Sequence, residues 1–318
     1  MTSGHDPIVS VILATDTLER VDGVIESLAA QTIAGNIELV LVTSSTNGSA
    51  HDQLEKRFHS LKLVDVPSVV PLGKARAIGV EAAAAPFVFI VETHAYPDPQ
   101  VAEKLASALA GEWSHAVPGF RNANPDTGLS WVGFLSDYGT WAATLPAGET
   151  EKGPAHNAAF RRSALLEFGE RLEHVLTFGD ELYLTLRARG HRSYFEPAAG
   201  VQHVNLNRFR PFVRERYLAG ALIGGYRSAR WSFARRMAYA FGSPLIPIVT
   251  LSRIQKGVRQ TARRQSLPRG TLPAIVLGAM VKAAGEMRGY LFGAPESAEE
   301  EMTGFEVRKL AFNSGEES

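Results

Sequence analysis

Four short β-rich segments, separated by helical patterns, occupy the first 94 residues and limit the folds this chain can adopt. The first segment is apolar throughout, which is typical of a strand buried on both faces of a parallel sheet. The four segments are Ile8–Ala14, Ile37–Val42, Leu61–Val66 and Phe87–Val91. Helices are predicted between them over Leu18–Gln31, His51–His59 and Lys74–Ala85. This alternation predicts an α/β fold, a Rossmann-like sheet with helices on both faces.

Sheets of this type bind ligands at the carboxyl ends of their strands. Three of those ends carry polar side chains, at Ala14–Thr15–Asp16, Thr43–Ser44–Ser45 and Glu92–Thr93–His94. The sequence therefore predicts a ligand site there. Further along, helices are predicted over His156–Phe168 and Asp180–Arg189.

The chain of 318 residues contains no cysteine. This excludes a disulfide scaffold, cysteine-ligated zinc, iron–sulfur clusters and a cysteine nucleophile. The sequence also lacks G-x-G-x-x-G, Walker A and G-x-S-x-G motifs. Their absence argues against a dinucleotide dehydrogenase, a P-loop NTPase and an α/β-hydrolase.

Charge is distributed unevenly, although the whole chain has 33 basic and 33 acidic residues. Residues 205–269 hold 13 Arg and one Lys against one acid, whereas residues 293–318 hold seven Glu against two bases. We therefore divide the chain into 1–205, a basic and apolar helical region 206–293, and an acidic mobile tail 294–318. The basic region predicts an anionic partner, either membrane phospholipid or nucleic acid.

Two uncharged runs, Met237–Ser252 and Gly270–Val281, interrupt the basic region and favour lipid over nucleic acid. Each is shorter than the roughly 20 residues of a spanning helix. They predict interfacial or re-entrant helices; the alternative is ordinary helices packed on the first domain. The N-terminus lacks a secretory signal pattern, so we expect the protein on the cytoplasmic side of the membrane.

Glu92 and His94 follow a strand at i, i+2 spacing and suit a divalent ion such as Mg²⁺ or Mn²⁺. The alternative is that both are solvated loop residues. His203 follows a later strand and becomes a candidate ligand if the fold brings it beside them.

Asp180 and Glu181 open a helix, where they match its dipole or supply a general base. Lys74 and Arg76 begin another helix, where they bind a diphosphate or form a solvated basic turn.

An ordered series of stretches from about Pro7 to His203 resembles the family 2 glycosyltransferases, which have the GT-A fold. Gly73–Gly79 resembles the family's A-R-N-x-G helix, and Phe87–His94 resembles its strand followed by D-x-D. The other matching stretches are Val9–Thr15, Ser27–Thr32, Leu39–Val42, Asn157–Arg162, Phe178–Glu181 and Val201–His203.

The resemblance implies an inverting enzyme that moves a sugar from a nucleotide-diphosphate donor to a lipid-linked or cell-envelope acceptor. Glu92 and His94 take the D-x-D role, and His203 joins them at the metal. Asp180 is the expected base, with Glu181 as its competitor. Residues expected to border the nucleotide sugar are Ala14, Thr15, Asp16, Ser44, Ser45, Lys74, Arg76 and Thr93. The region after His203 resembles the membrane-associating segments of bacterial members.

Three departures from the family pattern affect the expected chemistry. Glu92–Thr93–His94 replaces D-x-D, Val42–Thr46 replaces V-D-D-G-S, and Asp180–Glu181 replaces E-D. They support one alternative, a catalytically degenerate nucleotide-binding or scaffold protein at the membrane.

Overall fold

The computed structural model describes residues 6–45, 54–177, 179–264 and 266–317. The chain divides into two units. The first comprises Met1–Arg121 and Trp141–His203, and the second comprises Asn122–Thr140 and Val204–Ser318. The second unit thus includes a segment that lies within the predicted first domain. That segment carries buried apolar side chains, among them Trp131 and Val132, which pack within the helical unit.

Nine strands among the described residues form one mixed sheet in the order β3-β2-β1-β4-β8-β6-β9-β5, with β7 paired to β9. Strands β1 to β4 are parallel, and β8 adds antiparallel to β4. The predicted α/β class is therefore confirmed. The strands are β1 Val9–Thr15, β2 Ile37–Thr43, β3 Ser60–Asp65, β4 Phe87–Val91, β5 Ala95–Pro97, β6 His115–Asn122, β7 Gly148–Thr150, β8 Ala158–Arg161 and β9 Ser193–His203.

Six helices in the described part of the first unit surround this sheet. They are α1 Asp22–Ala29, α2 Leu72–Ala82, α3 Val101–Ala110, α5 Arg162–Leu166, α6 Leu172–Thr177 and α7 Asp180–Ala188. Helices α2, α5, α6 and α7 share one core with side chains of the central strands, including Ile12, Val40 and Ile90. Ile12 is flanked in β1 by Val11 and Leu13, which alternate to the opposite face and are also fully buried. Burial on both faces explains why the central strands are so apolar.

The helix predicted over His156–Phe168 is wrong at its start. Residues Ala158–Arg161 form β8, which pairs with β4 and β6, and the helix begins only at Arg162. The spacing of apolar residues in this stretch suits a helix, but strand pairing prevails because β8 fills the space beside β4. The predicted helix over His51–His59 lies partly outside the described residues.

The second unit is helical. Its described helices are α4 Gly128–Asp137, α8 Phe209–Ser228, α9 Phe233–Gly242, α10 Ile246–Arg264, α11 Thr271–Phe292, α12 Ala298–Val307 and α13 Lys309–Ser314. Helices α9 and α10, joined by the short turn Ser243–Leu245, include a stretch, Phe233–Gln255, that is long and apolar enough to cross a membrane. Few residues of its most apolar part are buried.

Helices α12 and α13 lie in the segment for which the sequence predicts an acidic mobile tail. Phe305, Val307 and Ala311 are buried there, and the rings of Phe305 and Phe312 lie 4.6 Å apart. Arg214 of α8 forms an ion pair with Glu301 at 2.7 Å. The high glutamate content therefore obscures an apolar pattern that is sufficient for helix packing.

Glycines bring α8 and α11 into main-chain contact. A Cβ added at Gly224 would lie 2.4 Å from the carbonyl oxygen of Glu286, and one added at Gly289 would lie 2.4 Å from that of Ala221. Added Cβ atoms at Gly220 and Gly285 would lie closer still, 2.1 Å and 2.0 Å from carbonyl oxygens of the facing helix. Glycine at these four positions lets the two helices approach more closely than side chains would allow.

We predict that Gly289→Ala destabilises the protein by about 1–3 kcal/mol, because the added methyl group meets main-chain atoms that cannot rotate away. Gly304→Ala in α12 is the control, since nothing lies within 4 Å of its added Cβ. Its expected effect is a gain of about 0.5–1 kcal/mol. Urea unfolding of both variants measures the difference, and equal stabilities would contradict the main-chain contact.

His115, at the start of β6, is fully buried between aromatic rings. Its ring stacks with that of Phe160 at 4.3 Å and with that of Tyr183 at 5.7 Å, measured between ring centres. Burial lowers the pKa of His115 from its ordinary value of 6.5 to about 3. As the pH falls below 6.5, His115 therefore becomes protonated in the unfolded chain, whereas in the folded chain it stays neutral until about pH 3. Stability consequently falls as the pH falls through this window.

We predict that His115→Phe flattens the acid side of the stability profile. From pH 7 to pH 5, the buried neutral imidazole costs the wild type about 2 kcal/mol of unfolding free energy, and the phenyl ring does not titrate. Urea unfolding at the two pH values gives the difference for each protein. An equal loss in variant and wild type would show that other groups dominate.

Candidate metal centre and active site

The parallel strands β1, β2 and β3 end together. In the sheet register Thr15 pairs with Thr43, and Thr43 pairs with Asp65. The hydroxyl of Thr15 donates to the carbonyl of Thr17 at 2.7 Å, and the amide of Ser45 donates to the Thr43 hydroxyl at 3.1 Å. The threonines thus shape the turns that leave this edge of the sheet.

Glu92, His94 and His203 meet just beyond β4. Antiparallel pairing of β5 with β9 places Ala95 opposite His203, so the two histidines become neighbours despite 109 residues of separation. The Nε2 atoms of the two histidines lie 3.0 Å apart. Oε2 of Glu92 lies 3.5 Å from Nε2 of His94 and 3.4 Å from Nε2 of His203. All three residues are buried.

This donor set fits a divalent metal ion. Ions held by imidazole and carboxylate have ligand distances of about 2.0–2.2 Å, so adjacent ligand atoms stand roughly 3.0–3.5 Å apart. The three atoms above have that spacing, and each residue offers one ligand atom. The structure therefore contains a possible metal-binding triad, made of the residues that the sequence analysis assigns to the metal.

Three further side chains hold the carboxylate of Glu92. Arg76 donates from Nη2 to Oε1 at 3.2 Å, and Nε2 of His156 lies 3.3 Å from the same oxygen. The amide of Asn157 donates to Oε2 at 2.6 Å. Arg76, expected at the diphosphate, is thus engaged with Glu92. Neither His156 nor Asn157 is among the predicted site residues, although Asn157 lies in one of the stretches that resemble the family.

Glu92 is ionised at neutral pH. Burial by itself raises the pKa of its carboxyl, but the charges of His156 and His94, the hydrogen bond from His203 and the charge of Arg76 together outweigh that effect. They hold the pKa of Glu92 well below its ordinary value.

The remaining predicted site residues differ in their exposure and contacts. Ala14, Thr15 and Thr93 are buried, Asp16 and Ser45 are half-buried, and Ser44 and Lys74 are exposed. Glu181 forms ion pairs with Arg171 and with His174, the latter at 3.0 Å. Asp180 begins α7, but its side chain lies outside the described residues. The roles assigned to these residues remain predictions.

A parallel sheet with a possible metal-binding triad at its carboxyl edge is the arrangement expected of a GT-A glycosyltransferase. The model of the family described as "Glycosyl transferase family 2" matches residues 11–169, half of the chain. The chain belongs to this family and is a glycosyltransferase.

Two solved structures are similar to the chain at low sequence identity, and the first of them shares its fold. The mannosyltransferase PcManGT from Pyrobaculum calidifontis, in complex with GDP-Man and Mn²⁺, is 16% identical with a TM-score of 0.55, over 92% of this chain and 89% of that one. TarS 1–349 from S. aureus, in complex with UDP, is 14% identical with a TM-score of 0.48, over 90% and 92% of the two chains. No curated protein matches the chain significantly by sequence.

Proposed function

We propose that this enzyme transfers a sugar from a nucleotide-diphosphate donor, with inversion, to a lipid-linked or cell-envelope acceptor at the cytoplasmic face of the membrane. The buried triad of Glu92, His94 and His203 in a family 2 glycosyltransferase carries the proposal. The GDP-Man and Mn²⁺ bound to PcManGT support a donor of this class.

The charges around Glu92 suit a diphosphate leaving group. Arg76 offsets the charge of Glu92, and histidine binds a metal in its neutral form after losing any proton, so a divalent ion would keep its charge available to the donor. Such an ion stabilises the negative charge that develops on the leaving diphosphate. Residues at the ends of β1 and β2 border the nucleotide, as the resemblance implies.

Asp180 is the proposed general base, with Glu181 as the competing residue. A carboxylate that takes the proton of the acceptor hydroxyl makes that hydroxyl a better nucleophile. Glu181 already pairs with Arg171 and His174, which favours Asp180 for this role. One base and direct in-line attack give inversion at the anomeric carbon.

Mn²⁺ is the proposed ion. Mg²⁺ and Mn²⁺ both favour oxygen ligands, but Mg²⁺ also demands near-ideal octahedral geometry, and two of the three triad ligands are imidazole nitrogens, so the triad fits Mg²⁺ poorly. The Mn²⁺ bound to PcManGT supports the same choice.

We predict that a panel of nucleotide sugars with Mn²⁺ contains one donor that the enzyme transfers or slowly hydrolyses, with less turnover in Mg²⁺. Asp180→Asn should lower turnover by about 10²–10⁴-fold without weakening donor binding. Glu181→Gln is the matched control and should retain activity. NMR of the product reports the anomeric configuration.

Two outcomes would contradict this function. Donor binding without turnover by the wild type would favour the degenerate nucleotide-binding or scaffold alternative, which the departure of Glu92–Thr93–His94 from D-x-D supports. A panel that gives neither turnover nor a thermal shift would reject a nucleotide-sugar donor.

The proposed membrane location rests on the surface of the second unit. Among described residues, 12 of the 17 exposed large apolar side chains lie between Tyr226 and Phe292. Along α9 and α10 the exposed positions are apolar at Phe241, Leu245 and Ile248, and exposed arginines stand on both sides of them, at Arg235 and from Arg253 onwards. Apolar side chains edged by arginine suit insertion beside anionic phospholipid headgroups, and duplex or single-stranded nucleic acid would leave the apolar positions without contact.

We predict that the purified protein sediments with vesicles containing anionic phospholipid and much less with zwitterionic vesicles. The double variant Leu245→Gln, Ile248→Gln should bind vesicles at least tenfold more weakly, because it removes apolar contacts. Leu184→Gln in α7, where the leucine is 69% exposed, is the control and should bind normally. Unchanged vesicle binding by the double variant would reject this surface.

A further inference from the structure

Asn157 contacts Glu92 through both ends of its amide. Its Oδ1 accepts the backbone N–H of Glu92 at 3.0 Å, and its Nδ2 donates to Oε2 of Glu92 at 2.6 Å. The oxygen Oε2 is the one that faces the Nε2 atoms of His94 and His203. Asn157 is fully buried. One side chain thus fixes both the backbone and the carboxylate of a proposed metal ligand.

The backbone of Asn157 supports this arrangement. Its φ of 52° lies in the left-handed region, which asparagine tolerates better than most residues other than glycine. The next residue, Ala158, begins β8 and pairs with Ile90 of β4. The strand ladder therefore fixes Asn157 beside the end of β4, where Glu92 emerges.

In the contacts described above, the two oxygens of Glu92 meet different side chains. Oε1 contacts Arg76 and His156, whereas Oε2 contacts Asn157 and the two triad histidines. Without Asn157, the cationic Arg76 on Oε1 would be the strongest fixed partner, and the carboxylate could rotate about its last bond. A neutral amide prevents that rotation without adding a charge beside the ion.

We propose that Asn157 is a positioning residue that presents Oε2 of Glu92 to the metal ion. The inference rests on the proposed function, because it needs an ion between Glu92, His94 and His203. Partners that orient metal ligands in this way typically contribute 10–100-fold to metal affinity.

The test compares Asn157→Gly with Asn157→Ala in the full-length protein. Both variants lose the amide, but glycine adopts the left-handed backbone readily and alanine does not. We expect both to bind Mn²⁺ 10–100-fold more weakly by calorimetry without donor. Both lose the buried hydrogen bonds to Glu92, and Asn157→Ala should have the lower melting temperature of the two because it adds backbone strain. Saturating Mn²⁺ should restore much of the turnover in Asn157→Gly.

Asn124→Gly is the matched control, because the Asn124 amide also makes two hydrogen bonds to one residue, Asn205, but lies outside the triad. It should bind Mn²⁺ as the wild type does. Wild-type affinity in Asn157→Gly would overturn the inference and leave the proposed function standing. A wild-type protein that binds no Mn²⁺ would overturn both, whereas normal Mn²⁺ binding without turnover would reject only the proposed function.

Discussion

An ionised carboxylate buried beside the sheet is the constraint on which the site depends. Removing such a charge from water costs several kcal/mol unless partners compensate for the lost hydration. Glu92 is 5% exposed, and five partners compensate its charge, all but the nearby His94 from other parts of the chain. Those partners are Arg76 of α2, His94 before β5, His156 and Asn157 before β8, and His203 at the end of β9. The carboxylate therefore requires these segments to be correctly folded around it.

The antiparallel strands make this convergence possible. A purely parallel sheet would surround Glu92 with the ends of β1 to β3, which supply mainly hydroxyl groups. Strand β8 starts next to β4 and brings His156 and Asn157 to it, and the pairing of β9 with β5 brings His203 to His94. The antiparallel strands thus bring imidazole nitrogens and an amide to this edge of the sheet. The parallel strands alone supply few of these groups there.

The sequence predicts the parallel strands β1, β2 and β4 well, because each is a short apolar run that is almost entirely buried. Strand β3, at the edge of the sheet, is only half-buried and keeps a shorter apolar pattern. Glu92 and His94 were predicted because they directly follow the apolar run of β4. His203 could be placed beside them only through the resemblance, because no local pattern shows that β9 pairs with β5. His156 and Asn157 were missed because their surroundings have helical spacing and the pairing of β8 is a tertiary effect. The fold class and the family are confirmed, while the base, the donor contacts and the membrane location remain predictions.

The continuous helical stretch formed by α9 and α10 has an outward side that changes character along its length, from Phe241, Leu245 and Ile248 to Arg253, Arg259 and Arg263. On the proposed membrane surface, a helical stretch with an apolar part followed by a cationic part would not lie parallel to the bilayer. It would tilt, with its first half immersed among acyl chains and its second half raised to the phosphates. On this proposed surface, the tilt would depend on where the exposed arginines resume after the apolar positions, so moving Arg253 by one turn would change the depth of insertion.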